Sequence, residues 1–139
     1  MTKQAAKRRI AQLADRFELL FVYVFGSRAK EALTCITLGE GRLTPGGSDL
    51  DVAVFPQRPL GIDDKVAVAG ELEELFGVER VDLIDLTHAP VMLANAAVCG
   101  ELLYAADPDS ESRYQLLVMR KAAELTRFQK ERERAVLGF

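Results

Sequence analysis

Apolar positions along the chain alternate between a helical rhythm and unbroken runs. Between residues 3 and 17, Ala6, Ile10, Leu13 and Phe17 fall on one side of a helical wheel, with Lys7, Arg9 and Asp15 elsewhere. That spacing predicts an amphipathic helix. Leu19–Phe25 is wholly apolar and rich in Val, Phe and Tyr, the pattern of a strand buried on both faces. Gly26-Ser27 ends it, and Arg28–Leu33 has the composition of a short helix. Thr34–Leu38 is β-prone, Gly39-Glu40-Gly41 reads as a turn, Arg42–Thr44 as extended and Pro45-Gly46-Gly47 as a loop. A small β-hairpin is therefore expected across 34–48. Leu50–Phe55 is the second strand, stopped by Pro56 and Pro59. Residues 62–76 predict a helix with Val66, Leu72, Leu75 and Phe76 as its apolar face and Gly77 as its stop. Val81–Leu86 is a third strand, Pro90 opens a helix that runs to Val98, and Leu102–Ala105 is a short fourth strand. Asp107–Ser110 caps a last helix over 111–136, whose stripe of Tyr114, Leu117, Val118, Leu125 and Phe128 is expected to pack on the domain. The order implies an α/β (α+β) fold, with helices on a small mixed sheet.

Length and composition narrow the function. At 139 residues the chain is one domain, residues 1–139, with a core of ordinary size. Its longest apolar run, Leu19–Phe25, is far too short to span a membrane, and nothing resembles a secretory signal, so the cytoplasm is the expected compartment. A net charge of −3 argues against a dedicated nucleic-acid binder. From Ser110 onward seven Lys or Arg face four Glu, which fits either partner docking or a solvated helix face. Cys35 and Cys99 have no CxxC context and read as small buried or half-buried thiols.

The chemistry concentrates where Gly26-Ser27 closes one apolar run and Ser48-Asp49-Leu50-Asp51 opens the next. A glycine between strand and helix lets a ligand approach the backbone, and the helix start offers N–H groups to a phosphate. In a strand, Asp49 and Asp51 project to one side while Leu50, Val52 and Val54 face the other. Paired carboxylates with no Lys or Arg at matching spacing point to a cation, and oxygen-only ligation suits Mg²⁺ with a triphosphate. Asp82, inside the third strand, adds a third carboxylate; Asp85 competes but has the opposite parity. Three acidic groups around two ions suit in-line nucleotidyl transfer, with Asp82 on the second ion or taking the acceptor proton. Arg28 is placed to touch phosphates and equally to pair with Glu31 one helical turn on. His88, the sole histidine, reads as a surface residue, and Tyr104 as core.

Gly26-Ser27-Arg28-Ala29, Ser48-Asp49-Leu50-Asp51-Val52-Ala53-Val54 and Val81-Asp82-Leu83 together resemble the minimal nucleotidyltransferases of the DNA polymerase β superfamily, and Gly100–Tyr104 is similar to their closing strand. The resemblance implies a polymerase-β-like nucleotidyltransferase fold. It implies Gly26, Ser27 and Arg28 on the triphosphate and Asp49, Asp51 and Asp82 as catalytic metal ligands, with two Mg²⁺ ions and ATP as donor. Many such proteins are antitoxins of HEPN-domain ribonuclease toxins, and some transfer AMP to a toxin tyrosine, so the resemblance implies a HEPN-type partner. One departure stands out: Arg28 to Ser48 spans 21 residues, longer than the family spacing, an enlarged segment at the mouth of the site.

After Leu102–Ala105 only the helix of 110–137 is left to hold an acceptor, which favours a second protein over a small molecule. Two rival readings stand beside this one. One is a non-catalytic module that neutralises its partner sterically; the other is a small-molecule nucleotidyltransferase that needs a partner subunit. A homodimer or toxin interface along the last helix is the alternative to simple packing.

Overall fold

The computed structural model describes residues 3–39 and 43–138. Its strands are β1 (Leu19–Phe25), β2 (Leu50–Pro56), β3 (Val81–Asp85) and β4 (Glu101–Ala105), in the sheet order β3-β2-β1-β4. β1 runs antiparallel to both β2 and β4, whereas β2 and β3 are parallel, joined through a helix. The sheet is therefore mixed, as the alternation of patterns implied. The helices are α1 (Lys3–Arg16), α2 (Ala29–Leu38), α3 (Ile62–Phe76), α4 (Val91–Val98) and α5 (Pro108–Leu137).

Both faces of the sheet are covered, which is why β1 is apolar at every position. On one face Val22, Val24, Leu50, Val52 and Val54 are at most 1% exposed and pack against Ala6, Ile10 and Leu13 of α1, Ala32 and Ile36 of α2, and Val68 and Leu72 of α3. Each such side chain contributes about 1.5–3 kcal/mol by leaving water. The other face carries Phe21, Tyr23, Phe25 and Ala53 beneath α4 and α5, with Ala94, Ala97, Val98 and Val118 closing over them. Phe21, Phe55 and Tyr114 form an aromatic triangle there, with centroids 5.1–5.5 Å apart. Within it the fully buried Tyr23 hydroxyl donates to Glu111 Oε2 at 2.5 Å, and Gln115 Nε2 donates to the same oxygen at 2.9 Å. Glu111 is only 4% exposed, so this bond fixes the start of α5 on β1.

Three expectations need correction. Thr34–Leu38 is not a hairpin strand but the end of α2, and residues 44–49 are bends and coil. Ala29, Ala32, Cys35 and Ile36 are the buried positions of that helix, a helical repeat that overrides the β-propensity of Thr34 and Ile36. Gly39, at φ +67°, ends α2 with its N–H on Cys35 O. Residues 40–42, the rest of the expected turn and the start of the extended stretch, lie outside the described residues. In α3 the core position is Val68, while Val66 is 67% exposed. On α5 the packing line runs Glu111, Tyr114, Val118, Ala122, whereas Leu117 and Phe128 are 45% and 56% exposed. From Arg127 to Gly138 every residue at that end is exposed. No described helix is long and apolar enough to cross a membrane. Cys35 is buried, Cys99 is exposed, and neither forms a disulfide.

Candidate active site

Antiparallel β1 ends where parallel β2 and β3 begin, so one end of the sheet gathers all three motif segments. Phe25 pairs with Asp51, and Asp51 pairs in turn with Asp82. Register alone therefore sets Asp51 and Asp82 side by side on neighbouring strands, roughly 5 Å apart along the hydrogen-bonding direction. They share the sheet face of Ala53 and Ile84, beyond the cover of α4 and α5. The parity argument against Asp85 holds: its carboxylate accepts from the N–H and hydroxyl of Thr87 at 2.9 and 2.6 Å, tying off the turn after β3. His88 is exposed on the same turn, as expected.

Asp51 is the half-buried member of the acidic group, and its carboxyl is pushed above the usual range. Burial is the main cause, followed by the negative charges of Asp82 and then Asp49. Gly26 lies directly against it. That glycine has φ +78°, and a Cβ built on it would sit 2.5 Å from Asp51 Oδ2. The glycine is thus required twice, by a left-handed backbone and by the space the carboxylate occupies.

Asp49 sits at the rim, half exposed, with Oδ2 3.6 Å from Arg80 Nε. Its carboxylate leans to that guanidinium, and among the described residues no three Asp, Glu, His or Cys side chains form a ready-made metal cage. Asp51 and Asp82 are thus brought together, with Asp49 in electrostatic reach of Asp51 but paired elsewhere. Sequence reasoning missed Arg80, which no spacing rule connects to Asp49. The donor set itself suits a hard divalent cation. It consists of carboxylate oxygens only, carries mutual repulsion that a cation would relieve, and has a cleared space at Gly26.

Ser27 is exposed on the turn between β1 and α2, its Oγ 2.8 Å from Ser48 Oγ. Arg28 is more deeply engaged. Its Nε donates to Glu31 Oε1 at 3.0 Å, and its terminal nitrogens donate to Thr44 O at 2.6 Å and Ser48 O at 3.3 Å. Glu31 in turn accepts the Thr44 N–H at 3.1 Å, and the hydrogen bonding from Thr44, then from Arg28, holds its carboxyl below the usual range. The Arg28–Glu31 pair was legible from i,i+3 spacing; its hold on Thr44 was not. A cavity of about 300 Å³ opens between this loop and the turn before β3, lined by Arg28, Ser48, Asp49, Val78 and Arg80 among others.

The polymerase β nucleotidyltransferase family model matches residues 8–109, a stretch that ends as α5 begins. No curated protein matches the sequence. Among solved structures, a chain of a MntA–HpeT toxin–antitoxin mutant superimposes with TM-score 0.68 at 19% identity, covering 94% of this chain and 98% of that one. A chain of a toxin–antitoxin structure with AMP-PNP gives 0.66 at 20% identity, covering 94% and 98%. A third, from a complex of the tri-AMPylated Shewanella oneidensis HEPN toxin with its MNT antitoxin, gives 0.58 at 21% identity, covering 99% and 97%. At such identities these likenesses concern the fold. The family match takes in Gly26, Ser27 and all three aspartates, and the chain belongs to the polymerase β nucleotidyltransferase family.

Proposed function

We propose that this protein is a Mg²⁺-dependent nucleotidyltransferase that moves AMP from ATP to a hydroxyl of a partner protein, a tyrosine of a cognate HEPN-type toxin, and so acts as its antitoxin. The observation that carries this reading is the pairing of Asp51 with Asp82 in register, with Asp49 close enough to add its charge and Gly26 giving Asp51 its room. The structural likeness to toxin–antitoxin complexes, one with AMP-PNP and one with an AMPylated toxin, supports the donor and the partner class.

In this reading Asp49, Asp51 and Asp82 hold the metal ions. Bound there, Mg²⁺ would neutralise triphosphate charge and make the acceptor hydroxyl a better nucleophile. Gly26 lets the triphosphate approach the backbone, and the Ser27 hydroxyl turns from Ser48 to donate to a phosphate oxygen. The acceptor oxygen forms a bond to the α-phosphorus as the bond to pyrophosphate breaks, and Asp82 takes the hydroxyl proton. Asp49 would have to leave Arg80 to hold an ion.

Intact-mass spectrometry of the cognate HEPN-type protein, incubated with this chain, ATP and Mg²⁺, tests the proposal. Mass steps of one AMP are expected, and none with the Asp49→Asn, Asp51→Asn double variant. One observation favours a second reading, that of a steric module: Asp49 already has a cationic partner in Arg80. An unmodified partner that still binds tightly would establish that reading instead.

A further inference from the structure

Residues 43–49 begin and end at fixed points. Leu43 is 3% exposed within the core, and its N–H donates to Phe76 O at the end of α3. Leu50 is fully buried, and its N–H donates to Arg80 O. Between them Pro45, Gly46 and Gly47 are exposed, with both glycines at positive φ, a segment with many accessible conformations when nothing holds it. The Ser27 hydroxyl meets Ser48 Oγ at one end, and one guanidinium spans both ends. Arg28 donates to the carbonyls on both sides of that arch, Thr44 O and Ser48 O, while Glu31 orients the guanidinium and takes the Thr44 N–H. Its side chain is only 10% exposed. A phosphate that claimed it would have to displace two carbonyls and a carboxylate. Asp49 is the next residue after the clamped Ser48 carbonyl.

We infer that Arg28 and Glu31 are positioning residues, a two-residue clamp that fixes the 44–48 arch and through it the place from which Asp49 presents its carboxylate at the rim of the site. This rests on the reading of Asp49 and Asp51 as metal ligands. Glu31 is the discriminating member, since it has no attraction for a triphosphate, and in metal binding without nucleotide a role for it runs through the arch and not through a phosphate held by Arg28.

The test is Mn²⁺ binding to the intact chain without nucleotide or partner, read from the paramagnetic resonance of free Mn²⁺, alongside hydrogen exchange at the Thr44 amide. Glu31→Ala and Arg28→Ala are each expected to weaken Mn²⁺ binding by about tenfold, as loss of outer-shell support does. The double variant should lose no more than the worse single one, because both remove the same clamp. Arg28→Lys should not rescue, because one ammonium cannot span both carbonyls while pairing with Glu31. Thr44 exchange should accelerate in all of them by more than any fall in global stability, read from the melting temperature, accounts for. If Glu31→Ala does not fold, Glu31→Gln takes its place, with the same expectation. Wild-type Mn²⁺ affinity in the Glu31 variant, with Arg28→Ala weakening ATP binding alone, would overturn the inference and make Arg28 a phosphate contact. Wild-type Mn²⁺ affinity in Asp49→Asn, Asp51→Asn would instead overturn the metal reading beneath it, and the inference with it.

Discussion

Replacing Gly26 by alanine separates the two reasons for a glycine there. At φ +78° any other L-residue loses about 1–2 kcal/mol. The new Cβ would also meet Asp51 Oδ2 at 2.5 Å, with Cγ at 3.6 Å and Cβ at 3.9 Å behind it. Only the end of the side chain is in the way, so Asp51 escapes by turning its carboxylate, at about 0.5–1.5 kcal/mol for an off-rotamer angle. The two effects together come to about 2–3 kcal/mol, a fall in melting temperature on the order of 5–10 °C for a chain of this length. Thermal melts of Gly26→Ala in the wild-type and in the Asp51→Ala background measure them apart. With Asp51 cut back to Cβ the remaining contact is ordinary, so the substitution should cost about 1 kcal/mol less there. In the wild-type background Mn²⁺ affinity should fall with the turned carboxylate, even if the stability loss is at the low end. Equal losses in the two backgrounds would refute the crowding argument. Unchanged Mn²⁺ binding in Gly26→Ala would refute the claim that the glycine sets the carboxylate's direction.

Two further outcomes follow from the same contacts. Because the Asp51 carboxyl is raised by burial and by Asp82 and Asp49, its neutral form is favoured in the folded state, and stability is lost as pH rises through the folded value. Asp51→Asn should therefore melt higher than wild type at neutral pH, by about 1 kcal/mol or roughly 3 °C, the scale of partly solvated charge pairs. The gain should vanish below 3.8, the ordinary value, where the carboxyl is protonated folded or unfolded. No gain at neutral pH in metal-free buffer would sink the repulsion. Tyr23→Phe removes one of two donors from a carboxylate that is 4% exposed and should cost about 1.5–3 kcal/mol in urea denaturation. Glu111→Gln keeps an acceptor for the phenol and should cost less; equal losses would mean that the acceptor is worth nothing without its charge and would refute that expectation.

The fold was legible where a periodic pattern and its packing agree. β1 reads as buried because it is buried on both faces, and the stripe Ala6, Ile10, Leu13 is the face that α1 turns to the sheet. The misreadings occur where local preference and tertiary placement part. Thr34 and Ile36 favour a strand in isolation, but Ala32, Cys35 and Ile36 have a core to fill at helical spacing. The α5 stripe was overextended for a related reason. Periodicity shows that a helix has an apolar side, not how much of that side is covered, and Phe128 is left exposed. Glu111 escaped notice because a glutamate in the first turn of a helix is ordinary, and only burial against Tyr23 makes it a structural anchor.

Within the site the same division follows the kind of bond involved. Asp51 beside Asp82 needs only strand parity and a parallel neighbour, two rules that sequence carries directly, and the register pairs those two residues. Gly26 against Asp51 needs one step more, the antiparallel return that pairs Phe25 with Asp51. Arg80 on Asp49 and Arg28 on Thr44 depend on where loops come to rest, and no periodicity reports that. The clamp on Thr44 spans 16 residues. Arg80, 75% exposed, meets the Asp49 carboxylate at 3.6 Å. Asp49 therefore stands between two loop contacts, the Arg28 clamp on the Ser48 carbonyl just before it and the Arg80 guanidinium on its own carboxylate, and neither follows from a rule of spacing.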